Sequence, residues 1–280
     1  MSIESGFVDT IFGRFHFEAA GTGKPVLFIN GGTASAREWR WVLPALGEHA
    51  RCVAIDRLGC GDSDRSQLGY DRQTITRGLL ACADALGFDR FGLVGQSFGG
   101  FWSFSIVFAA PERVSRLVIV NSGSGGPLSE AEIAQRRERS RRGMVGSPAG
   151  WAAMSDAERE AEVDRTIRTI FANPARVPVE YREYLRWQMG QADPAQAGAV
   201  ADEFERMGRE RYDLIACPTL IVWGEADSMN PPDRGRRVAA AIPGARYIGL
   251  PGVGHSCQIE DPAGFVAAVA PFLDETNDSA

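Results

Sequence analysis

Short apolar runs recur along the chain, and most neighbouring runs are far enough apart to leave room for a helix. Each run is continuous rather than alternating, which is typical of parallel strands covered on both faces. Ahead of the first run, residues 13–19 alternate apolar and polar side chains, which favours an antiparallel hairpin at a sheet edge. The runs that predict core strands cover residues 26–29, 52–55, 91–94, 117–120, 219–223 and 247–250.

Helical patterns fill several of the gaps between these runs. Residues 74–86 place their apolar side chains on one stripe, and residues 98–109 are apolar nearly all round, as in a helix buried against a sheet. Residues 232–242 and 262–273 each begin with a proline, which the first turn of a helix tolerates. Strands alternating with helices predict an α/β fold with a doubly wound, mostly parallel sheet and right-handed crossovers.

The alternation is interrupted once, between residues 124 and 216. This stretch is charged, rich in Arg and Glu, and contains no continuous strand-like run. It predicts a helical cap inserted into a core domain made of residues 1–123 and 217–280. Candidate cap helices cover residues 129–142, 155–171, 179–189 and 196–209, and the last residues, 275–280, are expected to fray.

Composition narrows the classes of partner. A formal net charge of −6 argues mildly against nucleic acid and anionic membranes, and no apolar run approaches the roughly 20 residues that span a bilayer. The five cysteines are scattered, and the first residues lack the pattern of a secretory signal. We therefore expect a cytoplasmic protein with reduced thiols and a small-molecule substrate, and the sequence leaves a homo-oligomer open.

A G-x-S-x-G motif at residues 95–99 lies directly between a predicted strand and a predicted helix. Such a turn holds its serine in a strained backbone, with the hydroxyl exposed above the strand ends, and the helix N-terminus favours developing negative charge. The pentapeptide alone also fits an ordinary turn, but its position between strand and helix predicts a nucleophile. Ser97 is that candidate.

The chain contains three histidines, so the search for a general base is short. His255 lies in the loop after the last apolar run, at the edge where open sheets place their chemistry. His16 lies on the polar side of the edge hairpin and is expected to be a surface residue. His49 lies in a connecting segment and is expected to be structural.

A buried carboxylate is needed to orient the imidazole of the base. Asp227, in the loop after the run 219–223, is the predicted residue, and Glu225 in the same loop is its rival. The loop 121–123 offers no carboxylate. The order serine, aspartate, histidine is the one that accompanies this elbow.

Acyl transfer also needs donors for the oxygen that becomes negative. The backbone N–H of Phe98, directly after the nucleophile, is one predicted donor. The glycine-rich loop 30–33 follows the first core run, and we predict Gly32 as the second donor. An ordinary glycine turn is the alternative there.

With these motifs in order, nearly the whole chain resembles the α/β-hydrolase superfamily. Residues 56–63 resemble that family's D-x-x-G-x-G-x-S turn. The oxyanion loop departs from the family's usual His-Gly, because this chain has Asn30-Gly31. The resemblance implies an α/β-hydrolase fold and argues, through Ser97, against the family's dehalogenases and epoxide hydrolases, which use an aspartate nucleophile.

Weaker resemblances extend to carboxylesterases and to meta-cleavage product hydrolases, which cut carbon–carbon bonds of dienoate acids. Arg186 and Trp187 are similar to a cap pair that binds substrate in the latter enzymes, although the two-residue match favours a surface arginine beside a core tryptophan. Ser256 departs from the tryptophan those enzymes tend to carry after the histidine. A cluster of arginines more simply forms a solvated helix face: residues 136, 137, 139, 141 and 142.

Together these features predict a serine hydrolase acting on an ester or an activated carbon–carbon bond of a small, fairly apolar carbonyl compound. The predicted chemistry requires no metal and no organic cofactor. Two alternatives stay open: a ligand-binding, receptor-like member with little turnover, and a cofactor-free perhydrolase or peptidase on the same scaffold.

Overall fold

The computed structural model describes residues 1–123, 129–132, 134, 148–191, 193, 195 and 210–275. An eight-stranded sheet forms the centre of the described structure. Its strands are β1 (Glu4–Thr10), β2 (Gly13–Ala20), β3 (Pro25–Ile29), β4 (Arg51–Ile55), β5 (Phe91–Gln96), β6 (Val114–Val120), β7 (Thr219–Gly224) and β8 (Arg246–Leu250).

The strand order is β1-β2-β4-β3-β5-β6-β7-β8. β1 and β2 form the antiparallel edge hairpin predicted from the alternating residues, and β2 is also antiparallel to β4. From β4 to β8 all neighbours are parallel. The chain adds β4 on one side of β3 and β5 on the other, so the loops after β3 and β5 flank the switch point where such sheets bind ligands.

Helices cover both faces of this sheet. The described α-helices are α1 (Leu43–Leu46), α2 (Arg72–Ala85), α3 (Phe98–Ala109), α4 (Pro148–Ala153), α5 (Asp156–Ile170), α6 (Val179–Met189), α7 (Pro232–Ala241), α8 (Cys257–Glu260) and α9 (Pro262–Asp274). One apolar cluster joins α2, α3 and α7 to the sheet. A second, on the opposite face, joins α1, α9 and the 3-10 helix Ala36–Trp39 to it. The doubly wound α/β architecture is therefore confirmed.

A separate helical layer lies above the carboxyl ends of the strands. α5 starts with a capping box, in which Ser155 and Glu158 satisfy each other's backbone amides. α5 and α6 share an apolar cluster that includes Val163, Tyr181 and, from α8, Ile259. The helices predicted at 155–171 and 179–189 are thus present. The one at 196–209, most of 129–142, the arginine cluster 136–142 and residues 276–280 lie outside the described residues, and the cap boundaries at 124 and 216 stay a prediction.

The sequence prediction for His16 is wrong. The alternation in β2 suggested a surface imidazole, but His16 is 3 % exposed. Its Nδ1 lies 2.8 Å from Asp56 Oδ2, and Asp56 also accepts hydrogen bonds from the backbone amides of Ala36 and Asp62. The aspartate that opens the 56–63 turn therefore fastens β2 and the 3-10 helix to the end of β4. His49 is half-exposed and pairs with Asp274.

None of the helices in the described ranges combines the length and the apolar character that crossing a bilayer requires.

The His16–Asp56 pair makes stability depend on pH. Burial lowers the pKa of His16, but the hydrogen bond and charge of Asp56 outweigh it, and the pKa lies above its usual value. The pair's contribution is then complete below the usual histidine pKa and is lost as pH rises through the raised one. In urea unfolding, His16→Gln should lower the free energy of unfolding most at about pH 6 and less at about pH 9. A cost that stays constant across this range would contradict the assignment.

Candidate functional site

Ser97 occupies the turn that joins β5 to α3, with φ of 51° and ψ of −117°. Positive φ in a residue with a side chain is strained, at a cost of about 1–3 kcal/mol. The turn is also crowded: a Cβ added at Gly99 would lie 2.0 Å from the carbonyl oxygen of Ile29. The motif's last glycine is therefore required by the contact between α3 and β3, and that contact keeps the serine raised at the helix N-terminus.

The three predicted triad residues meet in one line. His255 Nε2 lies 2.9 Å from Ser97 Oγ, and His255 Nδ1 lies 2.8 Å from Asp227 Oδ2. His255 and Asp227 are 5 % and 3 % exposed. Because a carboxylate only accepts hydrogen bonds, Nδ1 carries the proton and Nε2 is left to accept the serine hydroxyl. Glu225, the rival acid, instead pairs with Arg236.

Asp227 is fixed by more than the histidine. Its Oδ1 accepts the backbone amides of Met229 and Asn230, and its Oδ2 also accepts the side-chain amide of Asn121 at 2.7 Å. Asn121 itself has a positive φ of 46°. Sequence reasoning missed Asn121, because it screened the loop 121–123 for carboxylates alone. The asparagine after β6, at the same edge of the sheet, was the available signal.

The loop after β3 lies beside the elbow. A Cβ on Gly31 would lie 2.8 Å from Ser97 Cβ, so this loop approaches Ser97 as closely as glycine permits. Gly31 and Gly32 line the same cavity as Ser97. The other predicted donor, Phe98, is the first residue of α3. The oxyanion role of both residues stays a prediction.

Arg57 holds that loop from beneath. Its side chain is 1 % exposed, and its guanidinium donates to the carbonyl oxygen of Asn30 at 2.6 Å and to that of Gly32. The guanidinium also lies near the rings of Phe98 and Trp102. One guanidinium thereby fixes the positions of two carbonyl groups in the loop after β3. The sequence placed Arg57 in a recognised turn but did not indicate this contact.

A cavity of about 240 Å³ opens onto Ser97 and His255. The loop 31–34 and the elbow form its floor, and residues of α5 and α6 form its roof. The lining includes Leu185 and Met189, together with the paired side chains of Glu162 and Arg165. A volume of this size holds a small molecule.

One carboxyl in this cavity was not anticipated. Glu38, in the 3-10 helix Ala36–Trp39, is 6 % exposed and lines the cavity. Tyr181 of α6 lines it too, and the Tyr181 hydroxyl lies 3.3 Å from Glu38 Oε1. No pattern in the sequence marked Glu38, because the helix that carries it is only four residues long.

The structure does not bring Arg186 and Trp187 to the cavity. The Arg186 guanidinium makes two hydrogen bonds to Glu160, at 2.5 and 2.8 Å, and both side chains are partly exposed. Trp187 packs against the guanidinium of Arg37. Neither residue belongs to the cavity lining. The likeness to a substrate-binding pair therefore finds no geometric support here.

The helical layer is tied to the histidine loop through buried polar contacts. The backbone amide of His255 donates to the carbonyl of Ile170 at 2.7 Å. Glu260, 3 % exposed, accepts the amides of Gly254, Asn173 and Ala172. The end of α5 and the loop carrying His255 therefore share one set of hydrogen bonds.

A second Ser–His–Asp line exists elsewhere in the molecule. Ser5 Oγ lies 2.9 Å from His16 Nε2, and the His16 ring continues to Asp56. Ser5 lies within the edge strand β1 and not at a strained turn, and none of these residues lines the cavity. A nucleophile needs an oxyanion hole and space for substrate, so this line is structural.

One group of side chains in the described structure has the composition of a metal site. In the described part of the chain, the side chains of His16, Asp56 and Asp62 form the group whose ligating atoms lie within 4.8 Å of one another. The Asp56 oxygens already accept three N–H donors. This arrangement uses the lone pairs that a cation would need, so the group does not favour metal binding.

Comparisons with known proteins agree with this architecture. Residues 26–269 match the model of the alpha/beta hydrolase family. Haloalkane dehalogenase 2 of Mycobacterium tuberculosis (strain ATCC 25618 / H37Rv) is 30 % identical over 95 % of this chain and 93 % of that protein. The 2-hydroxy-6-oxo-6-(2'-aminophenyl)hexa-2,4-dienoic acid hydrolase of Metapseudomonas resinovorans is 28 % identical over 99 % of this chain and 91 % of its own.

A solved structure described as a thermophilic esterase from Thermogutta terrifontis superposes with a TM-score of 0.76. It is 23 % identical and covers 96 % of this chain, with 98 % of its own length matched. At that identity it demonstrates a common fold. With the family match extending across most of the sheet and its helices, the chain belongs to the alpha/beta hydrolase family and is a hydrolase.

Proposed function

We propose that the protein is a serine hydrolase that cleaves an ester of a small, fairly apolar carbonyl compound. The observation that carries this proposal is the unbroken line from Ser97 through His255 to Asp227, with the serine open to a cavity. Ser97 is the nucleophile, His255 the general base and Asp227 the group that orients the imidazole.

In the first half of the reaction, His255 Nε2 takes the proton of Ser97 Oγ while the oxygen attacks the substrate carbonyl. The oxygen that becomes negative is held by the backbone N–H groups of Phe98 and Gly32, each worth about 3 kcal/mol in such sites. The imidazolium then gives its proton to the leaving alkoxide, and an acyl-enzyme remains.

In the second half, a water molecule loses a proton to His255 and attacks the acyl-enzyme. The acid is released, and the proton returns to Ser97. Asp227 stabilises the imidazolium in both halves, and Asn121 with the amides of Met229 and Asn230 keeps that carboxylate in place. These steps use only groups of the chain and water.

The lining favours an uncharged acyl group. Among the described lining residues, Arg165 is the one permanent cation, and Glu162 neutralises it. Residues 124–216 would act as the cap that roofs the cavity and excludes water; of its described helices α4, α5 and α6, the last two line the cavity. The expected partner is a small molecule, without nucleic acid or membrane.

A second candidate is cleavage of an activated carbon–carbon bond, supported by the 28 % identity to a dienoic acid hydrolase. Such substrates carry a carboxylate, and the described lining offers it no unpaired cation. Dehalogenation is not proposed, because Ser97 stands where the family's dehalogenases use an aspartate. The ester reaction therefore ranks first.

Substitutions in the triad test the proposed roles. With p-nitrophenyl esters of graded chain length, Ser97→Ala should abolish measurable turnover, and Asp227→Asn should lower kcat about 10⁴-fold because the wrong histidine tautomer is favoured. Steady-state kinetics measures both. Ser5→Ala is the matched control, since Ser5 belongs to a similar hydrogen-bonded line outside the cavity, and it should leave kcat unchanged.

The same experiment separates the alternatives. Turnover of a dienoate substrate with none of the esters would favour the carbon–carbon reaction. Tight ester binding without turnover in the wild type would favour a receptor-like protein, and ester turnover that persists in Ser97→Ala would refute the proposed nucleophile.

Arg57 should act through the loop that it holds. Arg57→Met removes the donors to the carbonyls of Asn30 and Gly32, so the oxyanion loop loses its position. We expect kcat to fall roughly 10–100-fold with a smaller change in KM, because the loop matters most when charge develops on the substrate oxygen. Arg57→Lys keeps the positive charge but lacks the planar guanidinium that reaches both carbonyls, so it should recover only part of the lost kcat. If kcat falls only in proportion to the fraction of folded protein, the substitution acts by simple unfolding, which would contradict the role proposed for Arg57.

A further inference from the structure

Glu38 is a buried carboxyl aimed into the cavity, and its known contacts leave it short of partners. It is 6 % exposed, and its hydrogen bond with Tyr181 is long, at 3.3 Å. Across the residues that the structure describes, no arginine, lysine or histidine forms an ion pair with it. A carboxyl in such a position is costly as an anion, because burial removes most of its hydration and no cation of the described residues compensates.

The cost favours the protonated acid. Burial raises the pKa of Glu38 to about 8, and the hydrogen bond donated by Tyr181, which favours the ionised form, offsets only part of the effect. Near neutral pH the side chain is then a carboxylic acid with one O–H to donate. The same burial raises the pKa of Tyr181 well above its usual value, so the phenol stays protonated.

Charged groups near the 3-10 helix are engaged elsewhere. Inside the cavity, Arg165 pairs with Glu162, and His255 binds Asp227. On the elements that pack against the helix, and on the helix itself, the pairs are Glu18 with Arg40, His16 with Asp56, Arg51 with Glu4 and Arg37 with Asp62, while Glu260 accepts three backbone amides. Tyr184 donates no bond to Glu38 and binds the amide of Ser35.

We propose that Glu38 is a specificity-determining residue, which donates a hydrogen bond to a neutral acceptor oxygen on the substrate, away from the carbonyl that Ser97 attacks. A ketone, ether or amide oxygen fits this description. The inference rests on the proposed function for its catalytic meaning, but the subsite itself is a binding site and is tested by binding.

The subsite discriminates by charge as well as by hydrogen bonding. A substrate carboxylate would face another acid and the lone pairs of Tyr181, so it gains no partner there. A plain alkyl chain would leave the O–H of Glu38 without an acceptor, and an unmade buried hydrogen bond is penalised. A neutral oxygen satisfies the acid without creating a buried charge.

The test measures binding to Ser97→Ala, which cannot turn the esters over. The probes are ethyl 5-oxohexanoate and ethyl hexanoate, which differ in one ketone oxygen, and the readout is titration calorimetry. At about pH 7 the ketone should bind about tenfold more tightly. Above about pH 8 the affinity for the ketone should fall by about tenfold in total and level off near that for the hexanoate, because ionised Glu38 has no proton to donate, whereas the affinity for the hexanoate should change little.

Three further variants locate the effect at Glu38. In the same background, Glu38→Gln keeps a donor that does not titrate, so the ketone preference should persist and become independent of pH. Glu38→Leu should remove the preference. Tyr181→Phe removes the bond that favours the ionised acid, so the loss of ketone affinity should move to higher pH. If Glu38→Leu fails to fold, the pH profiles of Glu38→Gln and Tyr181→Phe still show whether Glu38 is the group that titrates.

Several results would overturn the inference. One is equal affinity for the two probes; another is a pH profile that Glu38→Gln leaves unchanged. Tighter binding of ethyl 6-aminohexanoate as pH rises would show that Glu38 acts as an anion for cationic ligands. Turnover of both esters by the wild type with no ketone preference would refute the subsite while the proposed function stands. A ketone preference in binding, with no turnover of either ester by the wild type, would refute the proposed function while the subsite stands.

Discussion

The site depends on a serine held at positive φ between a central strand and a buried helix. The strain at Ser97 is sustained because α3 packs directly on β3, where a side chain at Gly99 would collide with the carbonyl of Ile29. The switch point of the sheet lies between β3 and β5, so the same packing places the glycine-rich loop after β3 beside Ser97. The strand order, the strained backbone of Ser97 and the position of the neighbouring loop therefore all depend on the same packing of α3 on β3.

Around that serine, buried polar side chains hold Asp227 and the neighbouring loops in position. Asn121 holds Asp227, Arg57 holds two carbonyls of the loop after β3, and Glu260 joins the histidine loop to the end of α5. Each is buried and satisfied, so each restricts a loop that would otherwise move. Glu38 differs from these three because its carboxyl faces the cavity and retains a donor, and this makes it suited to contact substrate.

Much of this was predictable from the sequence. Continuous apolar runs identified the core strands, and the elbow with two carboxyl-end loops identified Ser97, Asp227 and His255 as residues that would meet. Contacts between segments distant in sequence were not predictable: Arg57 reaches a loop 25 residues earlier, and Glu38 meets Tyr181 across 143 residues. The prediction for His16 is wrong because alternation indicates only which face a side chain takes, whereas Asp56, from another part of the chain, covers that face.

The central claim is that Ser97, His255 and the two backbone amides act on one substrate carbonyl. A crystal structure of the enzyme after reaction with a fluorophosphonate tests this most directly. We expect phosphorus bonded to Ser97 Oγ, with the phosphoryl oxygen about 2.7–3.1 Å from the amide nitrogens of both Phe98 and Gly32. An unmodified Ser97 after treatment, or a phosphoryl oxygen directed away from both amides, would contradict it.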